Sequence, residues 1–214
     1  MSASPSLPVF ALPQRLVRAS WAAVGLFTLM SLIGATSAPL LLVKAPLLLV
    51  MLAPDGRHVA LTAGQIEPLL LCSVSVIRRS LYSVGVYGLG RAYGDVSVSW
   101  VEARARRLGR VLRVLERLFE RFGPAVLIVA PFPALCVVAG AARTRLAVFL
   151  PALLLGHCVW TGTTVWLGAR FADSSQLVID FFAQRLVEST LVCVALVAAY
   201  QYFSRRRRTP DPSE

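Results

Sequence analysis

LLVMLAPDGRHVALTAGQIEPLLL at residues 48–71, continued by YGLGRAYGD at 87–95, is one half of a pattern that occurs twice in this chain. The second half reads AVLIVAPFPALCVVAGAARTRLAVFL at 125–150 and VWLGARFAD at 165–173. Each half has an apolar segment that reaches Ala-Pro, a broken segment that closes on Ala-Gly, and a long apolar segment that ends in Leu-Gly, Arg, an aromatic residue and Asp. Matched positions keep an offset of 76–79 residues. Interrupted apolar segments at corresponding positions of two halves are typical of transporter folds.

The composition places the chain in a membrane. Of 214 residues, 57% are hydrophobic and 15% are charged, and the mean hydropathy is +0.68. An ordinary soluble domain has about 25% charged residues. The net charge of +11 and the pI near 10.7 come from basic residues in the N-terminal segment, in 104–121 and in the tail. In a membrane protein such groups are cytoplasmic anchors that face anionic lipid, so we expect no nucleic-acid partner.

The apolar runs predict an all-α membrane protein with a single membrane domain at 19–203, between a flexible N-terminal segment at 1–18 and a basic tail at 204–214. The predicted parts of the membrane domain are an uncleaved first helix near 19–37, repeat one at 39–95, an amphipathic linker at 96–122, repeat two at 124–173 and a last helix at 187–203. In each repeat a re-entrant hairpin (39–64 and 124–142) precedes a full span (66–90 and 146–169). A cleaved signal sequence is the alternative for the first run.

The charge distribution predicts the topology. With both termini in the cytoplasm, the arginines before the first helix, in the linker and in the tail all lie inside, as the positive-inside rule asks. The single full span between the two hairpins then inverts the second repeat relative to the first. Residues 100–122 have apolar side chains spaced three and four apart. Six of the seven arginines of this stretch lie largely off that stripe: Arg104, Arg107, Arg110, Arg113, Arg117 and Arg121. This pattern predicts a basic helix on the inner leaflet or on the inner face of the protein itself.

Ionisable residues within apolar segments are the predicted site. Arg78 and Arg79 fall in the middle of a span, where a basic residue costs about 2.5–3.5 kcal/mol on insertion scales, so we expect them to bind substrate. Arg143 and Arg145 lie at the mouth of the second hairpin, where they can meet an anionic head group or serve as inside anchors. The candidates for ion coupling are Asp55, Glu67 and His157.

Within the sequence there is no GxSxG, HExxH or Walker motif, so we expect no enzyme and no cofactor. The four cysteines form no CxxC pair, and the two histidines lack clustered acids, so we expect no metal site.

The chain resembles the DedA family, whose shared unit is the VTT or SNARE-associated domain. The resemblance covers about 38–173 and depends on the order of YGLGRAYGD, a basic linker, Phe122-Gly123 and a Pro-broken hairpin that ends at Ala139-Gly140. Its motif positions are Gly90, Arg91, Gly94, Asp95, Pro133, Cys136 and Gly140. The family's second hairpin carries two arginines in an Arg-Phe-x-Pro-Gly-x-Arg pattern, whereas this chain has Ala130 to Cys136 there and lacks both.

The resemblance implies a translocase that moves an anionic lipid, a polyprenyl phosphate or a phospholipid, across a bacterial plasma membrane with ion coupling. Arg78, Arg79 and Arg143 would then supply the phosphate-binding charge that the hairpin lacks. Two alternatives stay open. One is a non-transporting scaffold that binds anionic lipid or a partner through its basic helix and tail. The other is a small-cation or drug/proton exchanger, in which Glu67 would dominate.

Overall fold

The computed structural model describes residues 14–94, 117, 119 and 121–206, and within these residues the structure is helical and contains no strand. Among the helices of the described residues, three are long and apolar enough to span a membrane: Gln14–Thr36, Pro68–Tyr93 and Leu146–Arg170. The chain is therefore compatible with a membrane protein. The helices are α1 Gln14–Thr36, α2 Ala38–Lys44, α3 Pro46–Leu52, α4 Gly56–Thr62, α5 Pro68–Tyr93, α6 Ala125–Val129, α7 Pro133–Ala141, α8 Leu146–Arg170, α9 Ala172–Gln184 and α10 Leu186–Arg206.

Prolines set the ends of the short helices. Ala45, Ala53 and Ala130 each precede a proline, and each lies outside the α region, with φ between −134° and −153° and ψ between 69° and 82°. A residue before proline is pushed out of the α region, because the proline ring clashes with its backbone, so α2, α3 and α6 end there. Three of the short helices, α2, α3 and α7, also have proline at one of their first two positions, where the missing N–H is tolerated.

The ends of α1, α5 and α8 agree with the predicted first helix and the two predicted full spans to within five residues. The predicted hairpin regions contain α2 to α4 and α6 with α7, all short. Helix α9 was not predicted. It is amphipathic, with Asp173, Gln176 and Asp180 three or four residues apart and Ile179 buried. The predicted amphipathic helix at 100–122 lies almost entirely outside the described residues, as do most of the N-terminal segment and of the tail.

The chain forms two compact units, each drawn from separate segments. Unit 1 comprises Met1–Phe27 and Val76–Trp160, and unit 2 comprises Thr28–Ser75 and Thr161–Glu214. Helix α5 begins in unit 2 and ends in unit 1, whereas α8 begins in unit 1 and ends in unit 2. Unit 1 therefore contains α6 and α7 together with the terminal part of α5, and unit 2 contains α2, α3 and α4 together with the terminal part of α8.

The core of unit 1 lies among α5, α6, α7 and α8. Its fully buried side chains are Leu127, Leu135, Cys136, Phe149 and Leu153. Within this unit α5 and α8 are antiparallel, because their contacts advance in opposite directions along the two helices. Ser83 contacts His157, and Tyr87, one turn further along α5, stacks on Phe149 with 4.3 Å between ring centroids.

Unit 2 has two smaller cores. The first joins α3, α4, α5 and α8 through Val50, Val59, Leu71 and Val165, of which the first three have no exposed surface. The second packs α2 and α3 against α9, with Leu42, Leu49 and Ile179 as its buried members.

Candidate functional site

Two pairs of consecutive short helices, α3 with α4 (the first pair) and α6 with α7 (the second pair), have the same backbone geometry at the break between their helices. Ala53 (φ −134°, ψ 82°) and Ala130 (φ −140°, ψ 78°) end α3 and α6, and each donates its N–H to the carbonyl four residues back at 2.8 Å. Two residues later, Asp55 and Phe132 each donate to that same alanine's carbonyl, again at 2.8 Å. Asp55 and Phe132 have extended backbones and are the N-cap residues that directly precede α4 and α7. The Ala-Pro interruption is therefore built in the same way at positions 77 residues apart.

The second pair packs against the end of α5 through glycines. A Cβ on Gly90 would lie 2.9 Å from the Val137 Cα and closer still to the Val137 carbonyl. A Cβ on Gly140 would lie 2.7 Å from the Arg91 backbone nitrogen. Only glycine allows the α5 and α7 backbones to approach this closely. The motif positions Gly90 and Gly140 therefore meet in space.

The first pair packs in the corresponding way against the end of α8. A Cβ on Gly168 would lie 2.8 Å from the Ala60 Cα and 2.9 Å from the Ala63 Cβ. The contact of Gly168 with Ala60 in unit 2 matches that of Gly90 with Val137 in unit 1, at offsets of 78 and 77 residues. Each pair of short helices thus contacts the long helix of the other sequence half.

Polar side chains recur every four residues along α5 in unit 1, at Arg79, Ser83, Tyr87 and Arg91. Residues four apart share a face of a helix, so these groups form a line from the middle of α5 to its end. The Arg91 guanidinium donates to the Tyr87 hydroxyl at 2.9 Å and to the Thr144 carbonyl at 3.5 Å, and the Tyr87 hydroxyl donates to the same carbonyl at 2.5 Å.

His157 meets this line from α8. Its Nε2 lies 3.2 Å from Ser83 Oγ, and Ser83 is also a hydrogen-bond neighbour of the Cys136 thiol on α7. Arg79 is near enough for its charge to act on the imidazole. The side chains of Ser83 and His157 are 2% and 4% exposed, so this contact lies inside the unit rather than on its surface.

Arginines line a cavity of about 560 Å³ in unit 1. Arg91, Arg143 and Arg145 contribute three cationic side chains, and much of the remaining wall is apolar, including Leu16 of α1 and Val84 of α5. Arg143 follows α7 with φ 53°, in the left-handed region, which turns the chain from α7 into α8. The cavity therefore combines an apolar wall with a cluster of positive charge, as an anionic amphiphile requires.

Arg78 is held against α1. Its Nη2 donates to the Phe27 carbonyl at 2.9 Å, and its guanidinium carbon lies 4.0 Å from the centre of the Phe27 ring. The residue is 8% exposed. Arg78 and Arg79, adjacent in sequence, thus have different surroundings, as expected for neighbours about 100° apart on a helix.

The predicted acids lie in unit 2. Asp55 is exposed and pairs with Arg57 at 3.5 Å, and Glu67 is exposed just before α5. Of the remaining motif positions, Pro133 begins α7 and Gly94 ends α5 with φ 51°. Asp95 lies outside the described residues. Unit 2 has a smaller cavity of about 310 Å³, lined in part by Arg57 and His58.

The structure groups predicted residues differently from the sequence analysis. It brings Arg143, predicted to bind substrate, together with the motif residue Arg91 at one cavity, and it places His157 against Ser83, one helical turn from Arg79. Sequence reasoning missed Ser83, whereas it named Arg145 beside Arg143 as a residue that an anionic head group could meet. The four-residue spacing of Arg79, Ser83, Tyr87 and Arg91 was the signal for Ser83, because it marks one polar face on an apolar helix.

Comparisons with known proteins assign no family. No family model matches the chain, and no curated protein and no solved structure matches it.

Proposed function

We propose that the chain is a DedA-like, ion-coupled translocase that moves an anionic lipid across a bacterial plasma membrane. The observation that carries this proposal is the cavity of unit 1, in which Arg91, Arg143 and Arg145 line an otherwise largely apolar wall. The cavity has room for a head group beside an apolar chain.

The chemistry of the lining favours a phosphate-bearing amphiphile. A guanidinium group has five N–H donors in a planar fork that matches phosphate oxygens, and it stays charged at all relevant pH values. Arg91 is already oriented, because Tyr87 and Thr144 hold one of its nitrogens. A polyprenyl phosphate or a phospholipid would place its phosphate among the arginines and its chain along the apolar wall.

The duplicated geometry supports an inverted repeat with two re-entrant hairpins. The helix breaks at Ala53 and Ala130 have matching dihedral angles, and the contacts of Gly168 and Gly90 correspond. The long helices agree in part, because six of the seven buried positions of α8 match a buried position of α5 at an offset of 78. The matched positions are Leu71, Ser75, Arg78, Ser83, Tyr87 and Gly90 on α5, and Phe149, Leu153, Gly156, Thr161, Val165 and Gly168 on α8. Helix α5 is also buried at Val76, Ser80, Gly85, Val86 and Ala92, whose counterparts on α8 are not buried. Inverted repeats of this kind produce alternating access.

The predicted topology indicates on which side of the membrane the cavity lies. Leu16, in the first turn of α1, contributes to its wall. With the N-terminus in the cytoplasm, the head group would bind from the cytoplasmic side. His157, buried beside Ser83, is the candidate for ion coupling that lies within the same unit.

A transfer assay tests the proposal. The purified protein is placed in vesicles that contain a fluorescent anionic lipid, and the lipid that reaches the opposite leaflet is measured by quenching from outside. We expect Arg91→Gln, Arg143→Gln and Arg145→Gln together to reduce transfer at least tenfold. The matched control removes three described arginines outside the cavity, Arg57, Arg170 and Arg185, and should retain transfer.

Binding to the same lipid separates transport from scaffolding. A wild-type protein that binds anionic lipid through the three cavity arginines but transfers none would contradict the translocase and leave the scaffold. Equal transfer by the cavity variant and by the control would contradict the assignment of the cavity.

A further inference from the structure

A buried histidine lies beside the helix break of unit 2, where the matching break of unit 1 has a leucine. His58 of α4 is 6% exposed, and its Nδ1 lies 3.0 Å from the Ala53 carbonyl. The offset of 77 residues that relates Ala53 to Ala130 relates His58 to Leu135, which has no exposed surface. The two breaks have similar dihedral angles and the same backbone hydrogen bonds, so this backbone geometry does not require a histidine.

The contact with Ala53 fixes the role of each ring nitrogen of His58. A carbonyl oxygen only accepts, so Nδ1 carries a proton and donates it, and Nε2 of the neutral imidazole is an acceptor. Nε2 has no hydrogen-bond partner among the described residues. It is also absent from the fully buried polar atoms there that lack a partner, so it keeps some accessible surface. Because His58 lines the cavity of unit 2, this surface belongs to the cavity wall.

The cavity beside His58 has a volume of about 310 Å³ and an apolar wall. Apart from His58, Arg57 is the one polar residue among the described residues that line it. Arg57 is exposed and pairs with Asp55 at 3.5 Å. Exposed ion pairs contribute little stability, so the guanidinium can turn from Asp55 to another carboxylate. The apolar wall comes from α2, α3, α4 and α9, and includes Leu42, Leu49, Leu61 and Phe182.

This arrangement fits a small carboxylic acid with an apolar body. A carboxylic O–H donates to Nε2 of the neutral imidazole, and with the proton on the imidazole Nε2–H donates to the carboxylate, so both forms make the same hydrogen bond. The other carboxyl oxygen accepts from the guanidinium of Arg57, whose planar fork matches a carboxylate. Ligand pockets have volumes of about 300–1,000 Å³, mostly apolar walls and few polar groups, so this cavity takes a small ligand.

We propose that the cavity of unit 2 binds a small monocarboxylic acid, with its carboxyl group between His58 Nε2 and Arg57 and its apolar chain beside Leu49 and Phe182. The proposal does not depend on the proposed function. All the lining residues of this cavity belong to unit 2, whereas those of the arginine-lined cavity belong to unit 1.

Photo-crosslinking tests the site, with an octanoic acid that carries a diazirine at the end of its chain as the probe. The purified full chain is irradiated with the probe in detergent, and labelled peptides are identified by mass spectrometry. We expect labelling in α2, α3, α4 or α9, reduced at least fivefold by excess octanoic acid and much less by octylamine, which has the same chain without the acid. Labelling confined to unit 1, or equal competition by the two compounds, would overturn the proposal.

Two substitutions of His58 separate ligand binding from support of the helix break. His58→Asn keeps an N–H for the Ala53 carbonyl but has no counterpart of Nε2, and His58→Leu places in α4 the side chain that α7 has at position 135. We expect each to reduce the labelling of unit 2 at least tenfold. The matched control, Arg185→Gln, removes an arginine of unit 2 outside the cavity and should retain labelling.

Wild-type labelling of His58→Asn would show that the histidine serves only the helix break, and would overturn the proposal. Size-exclusion chromatography checks that each variant is folded. If neither variant folds, the competition between octanoic acid and octylamine in the wild type decides the question without a substitution.

Discussion

Replacing Gly90 or Gly168 with alanine should destabilise the protein, and by similar amounts. The added Cβ on Gly90 would lie 2.9 Å from the Val137 Cα, and that on Gly168 would lie 2.8 Å from the Ala60 Cα. Outside their own residue, its chain neighbours and the adjoining turns of their own helix, real Cβ atoms essentially never lie closer than 3.0 Å to a heavy atom. In both cases the obstacle is the backbone of another helix, which cannot turn aside as a side chain can.

The magnitude follows from two opposing effects. Overpacking a well-packed site costs about 1–3 kcal/mol of the free energy of unfolding. Because the obstacle here is backbone, we expect the cost at these two positions to be near the upper end, about 3 kcal/mol. Alanine regains about 1 kcal/mol of helix propensity over glycine. The expected net loss is about 2 kcal/mol. A chain of this length changes its melting temperature by about 2–4 °C per kcal/mol, so we expect a decrease of about 4–8 °C.

Gly162 provides the control on α8, because nothing lies within 4 Å of its added Cβ. Gly162→Ala should leave the melting temperature unchanged or raise it by up to about 4 °C. The assay is thermal unfolding in detergent, followed by tryptophan fluorescence. If Gly90→Ala and Gly168→Ala were as stable as Gly162→Ala, the close approach of the long helices to the short ones would be refuted.

Two further substitutions test contacts in unit 1. Arg78→Lys keeps the charge but loses the guanidinium that stacks on Phe27. The expected loss of about 1–2 kcal/mol corresponds to a decrease in melting temperature of about 2–8 °C. An unchanged melting temperature would show that the contact does not stabilise α1. Trp160→Phe removes the indole N–H donor that lies 2.6 Å from the Val129 carbonyl, so the free energy of unfolding, measured with denaturant, should decrease by about 1 kcal/mol. Trp166→Phe, on the same helix, should lower it by less than half of that. Equal losses would contradict this role of the indole N–H.

The sequence was sufficient for the long helices and for the breaks between the short ones. Apolar runs of about 20 residues predicted α1, α5 and α8, and Pro54 and Pro131 marked the ends of α3 and α6, because proline excludes the residue before it from a helix. Helix α9 was not predicted, because it is amphipathic and its 13 residues are too few to cross a membrane.

The grouping of site residues was beyond the sequence. Arg91 and Arg143 are 52 positions apart, and only the packing of α7 against α5 brings them to one cavity. The separate environments of Arg78 and Arg79 followed from helical periodicity, but the partner of Arg78 did not, because Phe27 lies 51 positions earlier in the chain. Which distant residues meet depends on tertiary contacts that a single sequence does not encode by spacing.

The central claim is that two similar hairpins enter the membrane from opposite faces, and accessibility of single cysteines in intact cells tests it most directly. Gln65 and Ala142 are exposed, lie just after the two short-helix pairs and are 77 residues apart, so each is replaced by cysteine in a background without the native four. We predict that a membrane-impermeant thiol reagent labels position 65 from outside and position 142 only after the cytoplasmic side is opened. Labelling of both positions from the same side would contradict the inverted repeat.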